Sequence, residues 1–297
     1  MKPRAVIYKN DLNMRRFVDL HTHSTASDGA IAPAELVMLA ERKRLAAIAL
    51  TDHDTVAGLA QAAKAAEAFA DLRLVRGLEI SAVWPAGTMH ILGLGIDETC
   101  RALQELLRQL RDARNQRNPK IIDKLRRLGL DITMDDVFAA AGGDDDRVVG
   151  RLHMANVLRK KRCVKTVAEA FKKYIGVGAP AYVDKERVLP RDAIAAIHKS
   201  GGLAVLAHPS QLGCSNAAQL ELAVKSLVRD GLDGVEVYHT DHSPSRVRQY
   251  LDLARRLGLG VTGGSDFHGA GKPDARLGVP RVPLAAIGKR FAAKLLA

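Results

Sequence analysis

Aromatic side chains are scarce in this chain. One Trp, five Tyr and six Phe make up 4% of its 297 residues, which argues against base stacking as the main way a ligand is held. Cysteine is scarcer still. Cys100, Cys163 and Cys214 are odd in number and far apart, so neither a disulfide framework nor a CxxC zinc site can be built from them. That usage fits a reduced, cytoplasmic compartment. Long apolar runs are missing too: Leu45–Leu50 and Leu203–Ala207 fall far short of the ~18 residues a membrane span needs. Met1–Asn13 lacks the apolar core of a signal peptide and is expected to be a loose leader, with Met14 an alternative start.

What is present points to a folded, basic domain. A hydrophobic fraction of 47% fills a sizeable core, and the formal net charge is +12. Such an excess suits an anionic substrate or a nucleic acid, and it also serves solubility. Charge alone does not choose among these.

Short apolar runs alternate with helical stretches. Phe17–Leu20, Ala46–Leu50, Leu74–Leu78, His90–Ile96, Leu203–Ala207, Val235–Tyr238 and Gly260–Thr262 are expected strands. Pro33–Arg44, Val56–Ala70, Arg191–Lys199, Ala217–Arg229 and Pro244–Leu257 are expected helices. This alternation predicts an α/β fold, a parallel sheet covered by helices and either open or closed into a barrel. The middle differs. Leu103–Leu128 is a long charged helix with Arg108, Arg111, Arg114 and Arg117 at every third position, and Thr133/Asp136 and Thr166/Glu169 have capping-box spacing. Gly142–Asp146 is an expected exposed loop. The chain therefore divides into a β/α domain over 15–100 and 188–297 and an all-helical insertion over 101–187.

Ten histidines carry the chemistry. Asp19-Leu20-His21-Thr22-His23 closes the first strand, and residues two apart on a strand face the same way, so His21 and His23 can address one ion. Asp28 follows. Thr51-Asp52-His53-Asp54 follows the second strand, Glu79 ends the third, and His90 opens the fourth. His208 and the Asp266-Phe267-His268 run follow later strands. In parallel α/β folds such strand ends share one mouth. His21, His23, His53, His90, His208 and His268 with Asp28, Glu79 and Asp266 are too many ligands for one ion, since a catalytic ion takes about three and keeps a place for water. They suit two or three divalent ions. The imidazole–carboxylate mixture favours Mn, with Zn or Fe as other candidates, over Ca or Mg. Asp19 and Asp52 adjoin ligand candidates and are expected to orient them.

Asp-Leu-His-Thr-His, Thr-Asp-His-Asp, Gly77-Leu78-Glu79-Ile80, Ala207-His208-Pro209 and Ser265-Asp266-Phe267-His268 resemble, in order, the motifs of the polymerase and histidinol phosphatase (PHP) superfamily. The resemblance implies a distorted seven-stranded β/α barrel with a helical insertion and a two- or three-metal phosphoesterase site. By analogy one ion sits on His21, His23, Glu79 and Asp266. A second shares Glu79 with His90 and His208, and a third takes Asp28, His53 and His268. Family members often carry His where this chain has Asp28, which implies a weaker third site or one selective for a harder ion.

The chain further resembles a branch that removes the 3′-phosphate from nucleoside 3′,5′-bisphosphates and, in some members, trims short RNA from its 5′ end. Gly150-Arg151-Leu152-His153, Ala179–Val183 and Glu236–His239 carry that likeness. A bisphosphate needs a second cationic clamp, which Arg117, Arg151 and His153 could supply from the insertion, with Arg114 a further candidate. His239 and His242 are candidates for substrate contact or general acid. Asp28, Glu79, His208 and His239 are the catalytic candidates, in a mechanism where a bridging hydroxide attacks phosphorus in line.

The expected partner is a small anionic nucleotide or a short RNA, with no protein partner evident. The competing readings are a 5′-to-3′ exonuclease on short RNA, a histidinol-phosphate phosphatase, and a basic nucleic-acid-binding module with structural metal. An amidohydrolase is disfavoured because no Lys stands at the equivalent strand ends.

Overall fold

The computed structural model describes residues 16–142, 148–184 and 188–296. The expected leader Met1–Asn13 and all but the first residue of the expected Gly142–Asp146 loop lie outside the described residues. Eight strands form one sheet: β1 (Phe17–Asp19), β2 (Ala47–Leu50), β3 (Arg73–Ala82), β4 (Met89–Leu94), β5 (Leu203–Leu206), β6 (Gly234–Tyr238), β7 (Gly260–Gly263) and β8 (Val282–Pro283). Their spatial order is β7-β6-β5-β4-β3-β2-β1-β8.

The first seven strands make the expected barrel. Beyond β1 and β7 the segments that follow the two strands lie against each other: Leu20 N–H donates to Gly263 O (3.1 Å), Asp266 N–H to His21 O (2.9 Å) and His23 N–H to Phe267 O (2.9 Å). Gly264 permits this seam, because a Cβ there would stand 2.4 Å from the His21 backbone nitrogen. The eighth strand, absent from the sequence reading, is a two-residue antiparallel attachment to β1.

Among the seven barrel strands the pairing is parallel except at β4, which runs antiparallel to both β3 and β5. β3 and β4 are a hairpin rather than a strand–helix–strand unit. The six-residue pairing keeps β3 extended to Ala82, so Glu79 lies inside β3 and not at its end. The reversal also puts the start of β4, with His90, at the mouth where the parallel strands finish.

Helices α1 (Pro33–Arg42), α2 (Leu59–Ala66), α7 (Pro190–Lys199), α8 (Ala217–Arg229) and α9 (Pro244–Leu257) cover the outside. Strand periodicity divides the side chains. Val18, Ala47, Ala49, Val75, Leu92 and Val205 share an inner cluster, while Ile48, Leu50, Leu78, Ile80, Leu206 and Val235 join the cluster that includes the covering helices. A last helix, α10 (Lys289–Leu295), adds Phe291 and Leu295 to the inner cluster. Gly260 makes room for it: a Cβ there would lie 2.1 Å from the Phe291 ring.

Between β4 and α7 run α3 (Arg101–Arg127), α4 (Met134–Ala140), α5 (Arg151–Lys160) and α6 (Val167–Ala170). α3 serves two cores: Leu103, Leu106, Leu107 and Leu110 pack with the barrel, while Ile121, Ile122 and Leu125 pack with Val137, Met154, Val157 and Leu158 of α4 and α5. The Thr133/Asp136 capping box is complete. At α6, Thr166 Oγ1 accepts from Glu169 N–H, but the Glu169 carboxylate turns to Lys165 N–H instead. No described helix is long and apolar enough to cross a membrane.

Candidate metal centre and substrate cleft

Glu79, fully buried on β3, is the hub of the barrel mouth. Its Oε1 lies 2.8 Å from His90 Nδ1 and 2.9 Å from His208 Nε2. Its Oε2 lies 2.9 Å from His53 Nδ1 and 3.4 Å from Nε2 of both His21 and His23. Asp266 Oδ1 stands 3.4 Å from His21 Nε2 and 3.2 Å from His23 Nε2. Asp28 Oδ1 is 3.3 Å from His268 Nε2, and Asp28 Oδ2 is 3.8 Å from His53 Nε2. All nine ligand candidates named from the sequence thus lie together at one mouth.

Several of these atoms are buried without a hydrogen-bond partner among the described residues: His21 Nε2, both nitrogens of His23, His53 Nδ1, His208 Nδ1 and Glu79 Oε2. Orphaned donors and acceptors are costly in a protein interior, and convergent imidazole and carboxylate groups are the donor set of a transition-metal site. The residues therefore fit divalent ions. Groups whose ligand atoms, one from each residue, lie within 4.8 Å of one another include His23–Asp28–His53–His268, His21–His23–Asp266, His21–Glu79–His208 and His53–Glu79–His90. Backbone strain collects here as well. Asp54, His208 and Asp266 have φ of 52°, 25° and 53°, a region few residues with a Cβ adopt.

Electrostatics separates the imidazoles. Burial, with His268 and His53 nearby, pushes His23 down to about 3, so it is held neutral. Burial also opposes charge on His53, but Glu79 and Asp28 outweigh it and push it up to about 9. Burial raises the carboxyl groups of Glu79, Asp28 and Asp266, yet the surrounding imidazoles hold all three well below the usual range.

Asp19 and Asp52 do not hold imidazole rings as expected. Asp19 accepts from Ser265 N–H (2.8 Å), Ser265 Oγ (2.6 Å) and Gly278 N–H (2.8 Å). Asp52 accepts from Ser24 N–H (2.8 Å), Ser24 Oγ (2.7 Å) and Ser27 Oγ (2.5 Å). Each fixes the backbone of a ligand-bearing loop rather than a ring. The ring orienter is Glu236 on β6, 3.0 Å from His21 Nδ1. In the sequence it stands out only as part of the Glu236–His239 motif. Lys272, also unremarked there, donates to Asp266 Oδ2 at 2.7 Å.

Above the cluster opens a cleft of about 240 Å³, with Asp28, His53 and His90 on the barrel side and Arg114, Arg117, Arg151, Phe171 and Tyr182 on the insertion side. The arginine stripe of α3 splits. A spacing of three turns each residue by about −60° relative to the last, so nine residues carry the stripe to the opposite face. Arg108 is exposed and pairs with Glu105 and Asp112, whereas Arg114 and Arg117 are buried. Arg114 is committed to an ion pair with Asp54. Arg117 donates to Asn118 Oδ1 (2.7 Å), and burial, with Arg114 and Arg151 nearby, pushes it down to about 9. Arg151 lies over the rings of Tyr182 (5.2 Å) and Phe171 (5.8 Å) and donates to Ile175 O (3.1 Å).

His153 does not line this cleft. Its Nδ1 accepts from Gly150 N–H at 3.1 Å, capping α5, and it borders a neighbouring recess with Asp28, Asn156 and Arg159. His239 lies deep beside Asp266, with Nε2 3.4 Å from Asp266 Oδ2 and Nδ1 accepting from Asp241 N–H at 3.0 Å. His242 donates from Nδ1 to Val237 O (2.9 Å) and packs edge-on against Tyr250.

The family described as the PHP domain matches residues 19–176. The chain is 37% identical over 260 residues to the 5′-3′ exoribonuclease Rnm of Escherichia coli, covering 87% of each chain. It is 35% identical over 255 residues to the 3′,5′-nucleoside bisphosphate phosphatase of Chromobacterium violaceum, covering 86% of this chain and 88% of that one. Among solved structures, a Bifidobacterium adolescentis protein described as a metal-dependent phosphoesterase superposes with a TM-score of 0.85 at 31% identity, over 93% of this chain and 96% of its own.

Proposed function

The chain belongs to the PHP domain family, and from that membership we propose that it is a metal-dependent phosphatase that removes the 3′-phosphate from nucleoside 3′,5′-bisphosphates. The observation that carries the reading is the placement of Arg117 and Arg151 on one wall of the same cleft whose other wall holds Asp28, His53 and His90. A substrate with one phosphate over the ligand cluster and a second a sugar's breadth away matches that division.

Two or three divalent ions, Mn first with Zn or Fe as the other candidates, would be held by His21, His23, Glu79 and Asp266, by Glu79, His90 and His208, and by Asp28, His53 and His268. Such ions supply an acidified water and neutralise charge on the reacting phosphoryl group. The insertion over 101–187 acts as the substrate clamp. Arg117 and Arg151 bind the 5′-phosphate through paired N–H donors, and the Arg151 guanidinium is already held by Tyr182, Phe171 and Ile175 O. His153 contributes by fixing the start of α5, which carries Arg151. His239 accepts a backbone N–H at Nδ1, so its ring proton resides on Nε2, facing Asp266. As the bond from phosphorus to the 3′-oxygen breaks, that Nε2–H hydrogen-bonds the departing oxygen, which takes up the proton given up by the attacking water, and His242 packs beside the His239 ring. The three free cysteines accord with residence in a reducing cytoplasm.

A second reading is favoured by the similarity to an exoribonuclease. The same clamp on a 5′-phosphate would place the first phosphodiester of a short RNA over the cluster.

The test is phosphate release from adenosine 3′,5′-bisphosphate against AMP, histidinol phosphate and a 5′-phosphorylated RNA pentamer, using Mn-reconstituted protein with Asp266→Ala as blank. Turnover of the bisphosphate that stops at 5′-AMP is the expected result. Successive release of mononucleotides from the pentamer, in preference, would assign the chain to RNA trimming, and inertness on all four would refute both readings.

A further inference from the structure

Two buried carboxylates stand close to His21, and they are used in opposite ways. Glu79 Oε2 faces the imidazole nitrogens of His53, His21 and His23, all ligand candidates, with none of them in full hydrogen-bond geometry. Glu236 has both oxygens occupied: Oε1 lies 3.0 Å from His21 Nδ1, and Oε2 accepts the backbone N–H of His208 at 2.8 Å. Glu236 is fully buried on β6, which adjoins β5, the strand before His208, and is one strand (β7) away from β1, the strand before His21. One side chain therefore bridges β1 and β5 at the level of the cluster.

We infer that Glu236 is a positioning residue, which keeps a proton on His21 Nδ1, so that Nε2 is the ligand atom, and holds the His208 backbone in its φ 25° conformation. The inference rests on the metal-centre reading above. A carboxylate that takes the far N–H of a ligating histidine fixes the ring's orientation and tautomer and makes it a better donor. Nε2 of His21 is the atom near Glu79 and Asp266, 3.4 Å from each. The His208 contact works on backbone strain, since its residue holds a conformation that needs an outside partner to persist.

The chemistry of this double acceptance makes one substitution sharp. Both neighbours are donors, and a carboxamide offers one acceptor and one donor. Glu236→Gln would leave the His208 N–H facing an NH2, or it would require His21 Nδ1 to accept, which moves the ring proton to Nε2 and onto the ligand position. Almost no volume changes, so packing is preserved.

The experiment titrates metal-free full-length protein with Mn²⁺ and with Zn²⁺ by calorimetry, for wild type, Glu236→Gln and Thr262→Val. Thr262 is the register partner of Glu236 on β7, equally buried, and its replacement is isosteric. Circular dichroism and thermal melts report folding. The expected result is a loss of about 10- to 100-fold in affinity for Glu236→Gln, with Thr262→Val unchanged. ¹⁵N-histidine spectra of the Zn²⁺-loaded wild type should show His21 protonated at Nδ1 and bound through Nε2, which a merely structural role would not require. Binding by Glu236→Gln equal to wild type overturns the inference. So does a wild-type spectrum with Zn²⁺ on His21 Nδ1, and that result stands whether or not the variant folds. Wild-type protein that takes up neither ion overturns the metal-centre reading itself.

Discussion

Arg114, on the insertion helix α3, is paired with Asp54 of the barrel, the residue next to His53. Asp54 is buried at φ 52° and also accepts Ser81 N–H (2.8 Å) and Ser81 Oγ (3.1 Å), two positions beyond Glu79 on β3. A single carboxylate thus ties the loop that carries His53, the strand that carries Glu79 and the helix that carries Arg117.

Deleting Arg114 leaves that carboxylate buried opposite a void. Removing one partner of a buried pair costs about 3–5 kcal/mol, so Arg114→Ala should lower the urea midpoint strongly. It should also lower kcat, because His53 and the clamp lose a common anchor. Arg114→Lys restores charge but not the two-nitrogen grip and should recover only part of both. Wild-type stability in the alanine variant would refute the coupling.

Arg117 obeys the opposite logic. Burial and its cationic neighbours disfavour its charge, so the folded protein carries it at a cost that a phosphate, bound as proposed, would relieve. Arg117→Met should therefore leave the melting temperature of ligand-free protein unchanged or higher, while raising KM for the bisphosphate at least tenfold. A stabilising shift from added bisphosphate should be present in wild type and nearly absent in the variant. An equal shift in both would remove Arg117 from the clamp.

Much of this site was legible in the sequence, because strand periodicity makes His21-Thr22-His23 a paired motif and strand ends in α/β folds share a mouth. The antiparallel β4 was missed, although the link Val83–Thr88 is too short for the crossover of a dozen or more residues that a parallel pair needs. Pro85 and Gly87 within it were the hairpin signal. Glu236 left a fainter mark, one acid inside the apolar strand Gly234–Tyr238, whose meaning depends on β1 and β5 far away in sequence. The three-residue arginine spacing was misleading in another way. It looks like a single stripe, but helical geometry turns it from solvent at Arg108 to the buried cleft at Arg117.

His242 makes stability depend on mildly acid pH. Burial pushes it down to about 4, from an ordinary value near 6.5. Between those values the unfolded chain takes up a proton that the folded chain refuses, so stability falls as pH drops through this window. From pH 6.5 to 5 the loss is roughly 2 kcal/mol at most. Urea unfolding of wild type and His242→Gln at both pH values should show a steeper loss in wild type. Parallel losses would assign the acid sensitivity elsewhere.

Removing metal should reveal a second pH dependence of opposite sign. Without ions, the carboxylates at the mouth are balanced by imidazolium charge, and His53 is pushed up to about 9 mainly by Glu79 and Asp28 against the effect of burial. A raised histidine contributes stability that is complete below about pH 6.5 and is lost as pH climbs through 9. Metal ions bind the neutral ring and displace the proton, so their hold strengthens over the same range. The drop in melting temperature caused by a chelator should accordingly widen from pH 6.5 to 9, by on the order of 5 °C. Activity should be lost at every pH and return with added Mn²⁺. His53→Asn should flatten the chelator's pH dependence while leaving the acid-side loss from His242 in place. A chelator effect that is constant with pH would show that His53 exchanges no proton for metal.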